Sequence, residues 1–289
     1  MLLRSILFVP ALAERYIEKA PTLGADALVL DLEDSIAPSR KDDARAALAS
    51  AAQRLARSGL PILVRVNHRA DILQQDIEAA VRPEVCALKL PKIETADEVL
   101  VCAEMVARAE QKAGVPAGQT WLMPMIETPR GVLNADAIAA SHARVQVIAF
   151  GVEDFAQSMR TRPIHSAMSM PAQMVAMAAR ANGLPALGLP GTVGEFTDLD
   201  AFRRTVLLAR DLGFAGSGCI HPAQIAVLNE TFGASAQELA DARTVVSLYE
   251  AALARGQGAV AFEGRMIDIP IYERAVALLR DFGSLDGGA

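Results

Sequence analysis

Short apolar runs of strand length recur along this chain, and most of them end on a polar or charged residue. The first lies within Met1–Pro10, and it is followed by Ala27–Leu32, which runs into Glu33 and Asp34. Then come Pro61–Asn67, Val85–Pro91, Trp121–Ile126, Val145–Phe150, Leu184–Leu189 and Gly218–His221. The stretches between them carry helical periodicity: 13–20, 42–57, 73–81, 95–113, 132–140, 170–182 and 199–212. Each apolar run is too short for a helix and is bounded by breakers, so it reads as a buried strand. Eight strand–helix alternations predict an α/β fold of the (β/α)8 TIM-barrel type rather than a doubly wound sheet.

The pattern continues past the eighth strand. Residues 235–255 form a predicted long helix opened by Ser235, with Glu238 three residues later as a capping box. Residues 256–268 read as a short hairpin and 272–282 as a terminal helix. The expected organisation is a barrel domain over residues 1–230 and a C-terminal helical and hairpin extension over 231–289. A barrel closes without such an appendix. The extension therefore either packs on or over a neighbouring subunit or caps the barrel bottom.

Composition narrows the class. Hydrophobic residues make up 52% of the chain and aromatics only 4%, so the core is built from Ala, Leu, Val and Met, as suits helices packed on parallel strands. A net charge of −6 without any basic run argues against nucleic acid. No apolar run approaches the roughly 18 residues of a membrane span, and a soluble, cytoplasmic protein is expected. Cys86, Cys102 and Cys219 are widely spaced in apolar surroundings and read as buried free thiols of a reducing compartment.

In a barrel the C-terminal ends of the strands form the active rim. Asp31, Glu33, Arg65, Asn67, Lys89, Glu127, Asp154 and His221 all fall there. Glu127 follows a strand that the Thr128–Pro129 pair brings to a stop, and Asp154 follows the next strand. Two carboxylates with room for water suit Mg²⁺, a hard ion that keeps several waters and substrate oxygens; strand-end acids also cap helices and pair with arginines. Glu153 is a rival ligand beside Asp154. Arg65 ends a buried strand and is costly there unless it meets an anion, either a ligand carboxylate or one of Glu33, Asp34 and Glu127. Asp31, Glu33 and Asp34 either support the metal from behind or fix Lys89 and Arg65. His221, before Pro222, reads as a hydrogen-bonded structural histidine, and neither Ser217–Gly218 nor 188–194 carries the pattern of a nucleophile or a phosphate loop.

These segments together resemble the citrate lyase β-subunit-like group of the HpcH/HpaI aldolase superfamily, which includes malyl-CoA and citramalyl-CoA lyases. The matching stretches are RSILFVP (4–10), GADALVLDLEDSIAPSRKDDAR (24–45), VRVN (64–67), LKLPKIE (88–94), MIETPRGV (125–132), GVEDFA (151–156), AARANGL (178–184), CIHPAQI (219–225) and GRMIDIP (264–270). They fall in order over nearly the whole chain. The resemblance implies a barrel with a C-terminal extension, assembled as a trimer or a multiple of it. It implies Mg²⁺ held by Glu127 and Asp154, a substrate carboxylate on Arg65, and substrate contacts at Gly151 and Glu153. It also implies CoA phosphates near Arg15 and Lys19, and Asp268 of a neighbouring subunit handling protons over the site.

The implied chemistry is cleavage of a 3-hydroxyacyl thioester such as citramalyl-CoA, malyl-CoA or citryl-CoA into a 2-oxo acid and an acyl thioester. Two other enzymatic readings remain open: citryl cleavage on an acyl carrier protein, and formation of malate or citramalate followed by thioester hydrolysis. A homologue that binds a 2-oxo acid without turnover is a further reading from a different class.

Overall fold

From its N-terminal end the chain alternates strand and helix in the order β1 (Ser5–Pro10), α1 (Glu14–Lys19), β2 (Ala27–Asp31), α2 (Lys41–Ala56), β3 (Ile62–Arg65), α3 (Ala70–Ala80), β4 (Ala87–Leu90), α4 (Ala96–Ala113), β5 (Trp121–Ile126), α5 (Pro129–Leu133) and α6 (Ala135–Ala140). It continues with β6 (Ile148–Phe150), α7 (Val152–Ser158), α8 (His165–Ala181), β7 (Ala186–Leu187), α9 (Leu199–Asp211), β8 (Ser217–Cys219) and α10 (Pro222–Phe232). The structure is a computed structural model and describes residues 3–283. All pairings among these strands are parallel, in the order β7-β6-β5-β4-β3-β2-β1-β8. A parallel bridge between Leu187 and Gly216 joins the two ends, with the Gly188 amide donating to the Gly216 carbonyl across 2.9 Å. The result is a (β/α)8 barrel.

Strand parity sorts the side chains into two layers. Ala27, Val29, Leu63, Ala87, Met123, Met125, Val147 and Ala149 pack inside the barrel. Their neighbours Leu28, Leu30, Ile62, Val64, Leu88 and Ile126 pack outward against the helices. Fully burying one such Leu or Ile contributes roughly 1.5–3 kcal/mol. The same parity carries Phe8, Asp31, Arg65, Lys89, Glu127 and Gly151 to the inside at the strands' C-terminal ends.

Several boundaries differ from the sequence expectation. Residues 132–140 form two helices, separated at Asn134, whose amide side chain donates to the Glu94 carbonyl across 2.8 Å. Helix α8 starts at His165 rather than Met170 and carries Pro171 in its interior. A proline there removes one backbone bond; its ring is buried in the helix–barrel layer, which offsets that loss. Strand β8 is shifted to Ser217–Cys219, so His221 lies beyond it. Helices α7 and α10 had no counterpart in the periodic reading.

The chain divides into two compact units after Phe232. In the second, α11 (Ala236–Leu253) opens on the Ser235–Glu238 capping box. Strands β9 (Val260–Phe262) and β10 (Arg265–Ile267) pair antiparallel across Glu263 and Gly264, which take φ of 46° and 75° as a two-residue hairpin turn demands. Helix α12 (Ile269–Phe282) packs on α11, with Tyr249 and Tyr272 stacked 4.8 Å apart.

Candidate active site

The barrel's C-terminal mouth opens into a cavity of about 900 Å³. Its wall includes Arg15, Lys19, Asp31, Asp34, Arg65, Lys89, Glu127, Gly151, Glu153 and Asp154. Ten of the twelve residues expected to build the site are thus in one wall. Glu33, buried nearby, bonds two of the cations beside the cavity, and Asp268 belongs to the second unit.

Glu127 is 2% exposed and follows β5 directly. Thr128 ends the strand and caps α5, accepting the Gly131 amide at 3.1 Å, with Pro129 as the first helical residue. Glu127 Oε2 accepts the Lys92 amide at 2.8 Å. Gly151 lies against the carboxylate on the other side, where a Cβ would overlap Oε1. Burial, then the charges of Asp154 and Glu33, push the Glu127 carboxyl up to about 7. Asp154 sits in the first turn of α7, not on the strand end itself, a favourable place for a carboxylate. Its neighbour Glu153 is exposed and takes the Thr192 hydroxyl, so the two acids serve different partners.

Lys92 was not anticipated as a site residue, although it lies in the LKLPKIE stretch. Its φ is 54°, an unusual value outside glycine, and the backbone there turns both its amide and its ammonium toward acids. Nζ is 3.1 Å from Glu33 Oε1 and 3.3 Å from Asp154 Oδ1. Burial opposes that charge, but Glu33 and then Asp154 and Glu127 hold the Lys92 pKa above its ordinary value. No signal in the sequence alone sets it apart from Lys89.

Arg65 has its donors taken by acids. Nε and Nη2 grip Asp31 at 2.7 and 2.8 Å, and Nη1 lies 2.9 Å from Glu33 Oε2 and 3.1 Å from Asp34 Oδ2. The Glu33 approach is an ion pair without hydrogen-bond alignment, which leaves buried Oε2 without a hydrogen-bond partner. The expected pairing with Glu33 and Asp34 is present, and Asp31 rather than Glu127 is the main partner. Burial raises the Asp31 pKa, yet Arg65, Ser35 and the Glu33 amide together bring it below the ordinary carboxylate range.

Lys89 behaves differently from expectation. The acids expected to fix it are all engaged with Arg65 or Lys92. Lys89 has no ion pair or hydrogen bond among the described residues, and its Nζ stands 4.5 Å over the Phe8 ring, which also carries Arg65 at 4.9 Å. Burial first, then the Arg65 charge, lower its pKa to about 8.

Arg15 and Lys19 lie exposed on α1 at the edge of the cavity. His221 Nδ1 accepts the Ala223 amide at 3.2 Å at the start of α10, as a hydrogen-bonded histidine, and its ring stacks on Phe196 at 4.6 Å, while the residue also lines the cavity. Asp268 accepts the Ile271 amide at the start of α12. Burial pushes the thiols of Cys86 to about 11 and of Cys102 and Cys219 to about 12, which leaves them inert at neutral pH.

The donor set suits a hard divalent cation. Glu127 and Asp154 offer oxygen only, they repel one another, and the cluster already draws the Lys92 ammonium. Among the described residues no three His, Cys, Asp or Glu side chains form a cage. Water and ligand oxygens would complete the coordination, as for Mg²⁺.

The barrel, the family of motifs and this cavity agree with the comparisons to known proteins. Residues 4–222 match the HpcH/HpaI aldolase/citrate lyase family, to which this chain belongs. It is 34% identical over 280 residues to citrate lyase subunit beta of Escherichia coli K12, spanning 96% of this chain and 92% of that protein. It is 33% identical over 268 residues to a (3S)-malyl-CoA thioesterase of Cereibacter sphaeroides, spanning 92% and 89%. Among solved structures, CitE from Mycobacterium tuberculosis in complex with magnesium, acetoacetate and coenzyme A superposes with a TM-score of 0.76 at 28% identity, over 96% of this chain and 97% of that one. Among the described residues no helix is long and apolar enough to cross a membrane.

Proposed function

We propose that this protein is a Mg²⁺-dependent carbon–carbon lyase that cleaves a 3-hydroxy-3-carboxyacyl thioester of coenzyme A into a 2-oxo acid and an acyl thioester. The observation that carries this reading is the convergence of Glu127 and Asp154 in one cavity with the basic edge of Arg15 and Lys19. The magnesium-, oxo-acid- and coenzyme A-bound relative supports it.

Glu127 and Asp154 would hold the ion, with Lys92 giving up Asp154 and keeping Glu33. Bound there, Mg²⁺ supplies Lewis acidity toward the substrate's hydroxyl and carboxylate oxygens. Arg65, fixed by Asp31, orients the carboxylate end. A base takes the hydroxyl proton, the carbinol oxygen becomes the carbonyl of the 2-oxo acid, the bond between the carbinol carbon and the carbon next to the thioester breaks, and its electron pair passes into the thioester as an enolate. Asp268, contributed by a neighbouring protomer of a trimer, returns a proton to that carbon. Arg15 and Lys19 would meet the coenzyme phosphates at the mouth.

The test is 2-oxo acid release from citramalyl-CoA, malyl-CoA and citryl-CoA by the purified protein, with and without EDTA, beside Glu127→Ala and Asp268→Asn. Turnover abolished by EDTA and by Glu127→Ala is the expected result. EDTA-insensitive turnover would remove the metal from the reading, and silence on every CoA thioester would move the substrate to an acyl carrier protein. The likeness to a malyl-CoA thioesterase favours a second reading, in which hydrolysis of the thioester follows carbon–carbon bond formation. Free CoA released in step with malate or citramalate would select it.

A further inference from the structure

Behind the turn that follows β2 lies a cluster of polar side chains that the proposed chemistry does not use. Lys41, the first residue of α2, sends its Nζ back to the carbonyls of Leu32 and Glu33 at 2.8 and 2.6 Å. The Leu32 carbonyl takes a second donor, the Asn67 side-chain amide, at 2.9 Å. Asn67 is itself fixed, because its backbone and side-chain nitrogens donate to Asp76 Oδ2 at 2.9 and 2.6 Å, and Arg45 holds Asp76 Oδ1 at 2.9 Å. Asn67 and Asp76 are 4% and 1% exposed, so the anchorage is buried. Helix formation does not account for Lys41. A cation in the first turn faces the positive end of the helix dipole, where Asp42 and Asp43 are the favourable residues.

The turn in front of Lys41 supplies the reason for it. Asp31, Glu33 and Asp34 crowd three carboxylates into one short stretch, where they repel one another. Burial lowers the Lys41 pKa, while Asp31, Glu33, Asp76 and Asp34 all attract its charge. The same turn aims Asp31. Its Glu33 and Ser35 amides donate to Asp31 Oδ1 and Oδ2 at 3.0 and 3.1 Å, and those two oxygens also receive Nε and Nη2 of Arg65. The Leu32 carbonyl and the Glu33 amide belong to one planar peptide unit, so a cation held on the oxygen fixes the direction of the N–H. Through that N–H it fixes the carboxylate that carries the guanidinium.

We infer that Lys41 is a positioning residue for Arg65: it holds the peptide units after β2 so that Asp31 presents the guanidinium to the cavity in one orientation. The inference rests on the proposed lyase reading, in which Arg65 receives the substrate carboxylate.

The test is calorimetric titration of pyruvate and of oxaloacetate, each with saturating Mg²⁺, and separately of coenzyme A, into the full-length protein and into Lys41→Met and Lys41→Arg. Lys41→Met is expected to weaken oxo-acid binding about tenfold, within the worth of a charged hydrogen bond, and to leave coenzyme A affinity within about twofold. Lys41→Arg keeps a cation with several donors and is expected to stay within about threefold of the unmodified protein. In an Arg65→Lys background, where the fork is already lost, Lys41→Met is expected to add less than about twofold, because the two residues act on one interaction. A lysine that only supports the fold would lower thermal stability without changing oxo-acid affinity, or would weaken oxo acid and coenzyme A together. Either result overturns the inference, as does an undiminished loss in the Arg65→Lys background. Should Lys41→Met fail to fold, Lys41→Gln, which keeps a donor without the charge, takes its place with the same expected and overturning results. If neither oxo acid binds the unmodified protein, the lyase reading falls and this inference falls with it; oxo-acid binding that the Lys41 variants leave unchanged removes the inference alone.

Discussion

Gly151 backs onto Glu127 so closely that a Cβ would stand 2.7 Å from the carboxyl carbon and overlap Oε1. The strand end after β6 and the carboxylate after β5 thus fit each other only with glycine at 151. Gly151→Ala is expected to displace the Glu127 carboxylate, costing about 1–3 kcal/mol of stability as an overpacked site does. Mg²⁺ affinity, read by calorimetry, should fall at the same time. A variant that binds Mg²⁺ normally would show that the carboxylate moves without consequence.

Glu127 also sets a pH dependence. Its carboxyl titrates near 7 in the fold against an ordinary value of 4.5, so a proton competes with any cation below pH 7. Apparent Mg²⁺ affinity is expected to rise about tenfold per pH unit toward 7 and to level off above it. The folded state binds the extra proton between 4.5 and 7, so the protonated group's stabilisation is full below 4.5 and is lost as pH rises through 7. Glu127→Gln should therefore be more stable than the unmodified protein in EDTA at pH 8, by about 1–3 kcal/mol in urea titration.

Arg65 and Asp31 form a buried, two-pronged pair. Arg65→Met leaves Asp31 charged and unpaired and is expected to cost about 3–5 kcal/mol, measured by chemical denaturation. Asp31 has a depressed pKa. Its contribution is therefore present above the ordinary carboxylate range and is lost as pH falls through the lowered folded value. In the variant that acid-induced loss should shrink. Arg65→Lys keeps the charge without the fork and should recover only part of the stability.

At the mouth, exposed Arg15 and Lys19 act through charge rather than packing. Reversing both to Glu is expected to raise KM for a CoA thioester at least tenfold and to leave 2-oxo acid and Mg²⁺ affinity unchanged. The unmodified protein's KM should rise with ionic strength, since such contacts are screened. A reversed variant with unchanged KM would place the coenzyme elsewhere.

Much of this was legible in the sequence because strands declare themselves twice, by apolar runs and by what ends them. Met123–Pro129 shows both, and β5 ends at Ile126 with Glu127 beyond it, as that pattern predicts. A boundary failed at α8: the helix expected from Met170 begins at His165, and Pro171 is buried in its interior. At the site, residue type indicated charge without pairing. Nothing in LKLPKIE tells that Lys92 turns back on Glu33 and Asp154 while Lys89 meets no acid, because that depends on a φ of 54° and on which strand face each residue occupies. The placement of Asp154 on α7 escaped for a related reason, since a seven-residue helix leaves too short a period to read.

The shared parity of Asp31, Arg65, Lys89 and Glu127 also bears on how the barrel finds its register. A strand that slipped by one residue would exchange its two faces and carry its charge into the leucine-rich layer beneath the helices. The acids and bases of the mouth thereby make such slips of β2, β3, β4 and β5 electrostatically expensive. The groups that give this protein its chemistry also restrict the number of ways its eight strands can close.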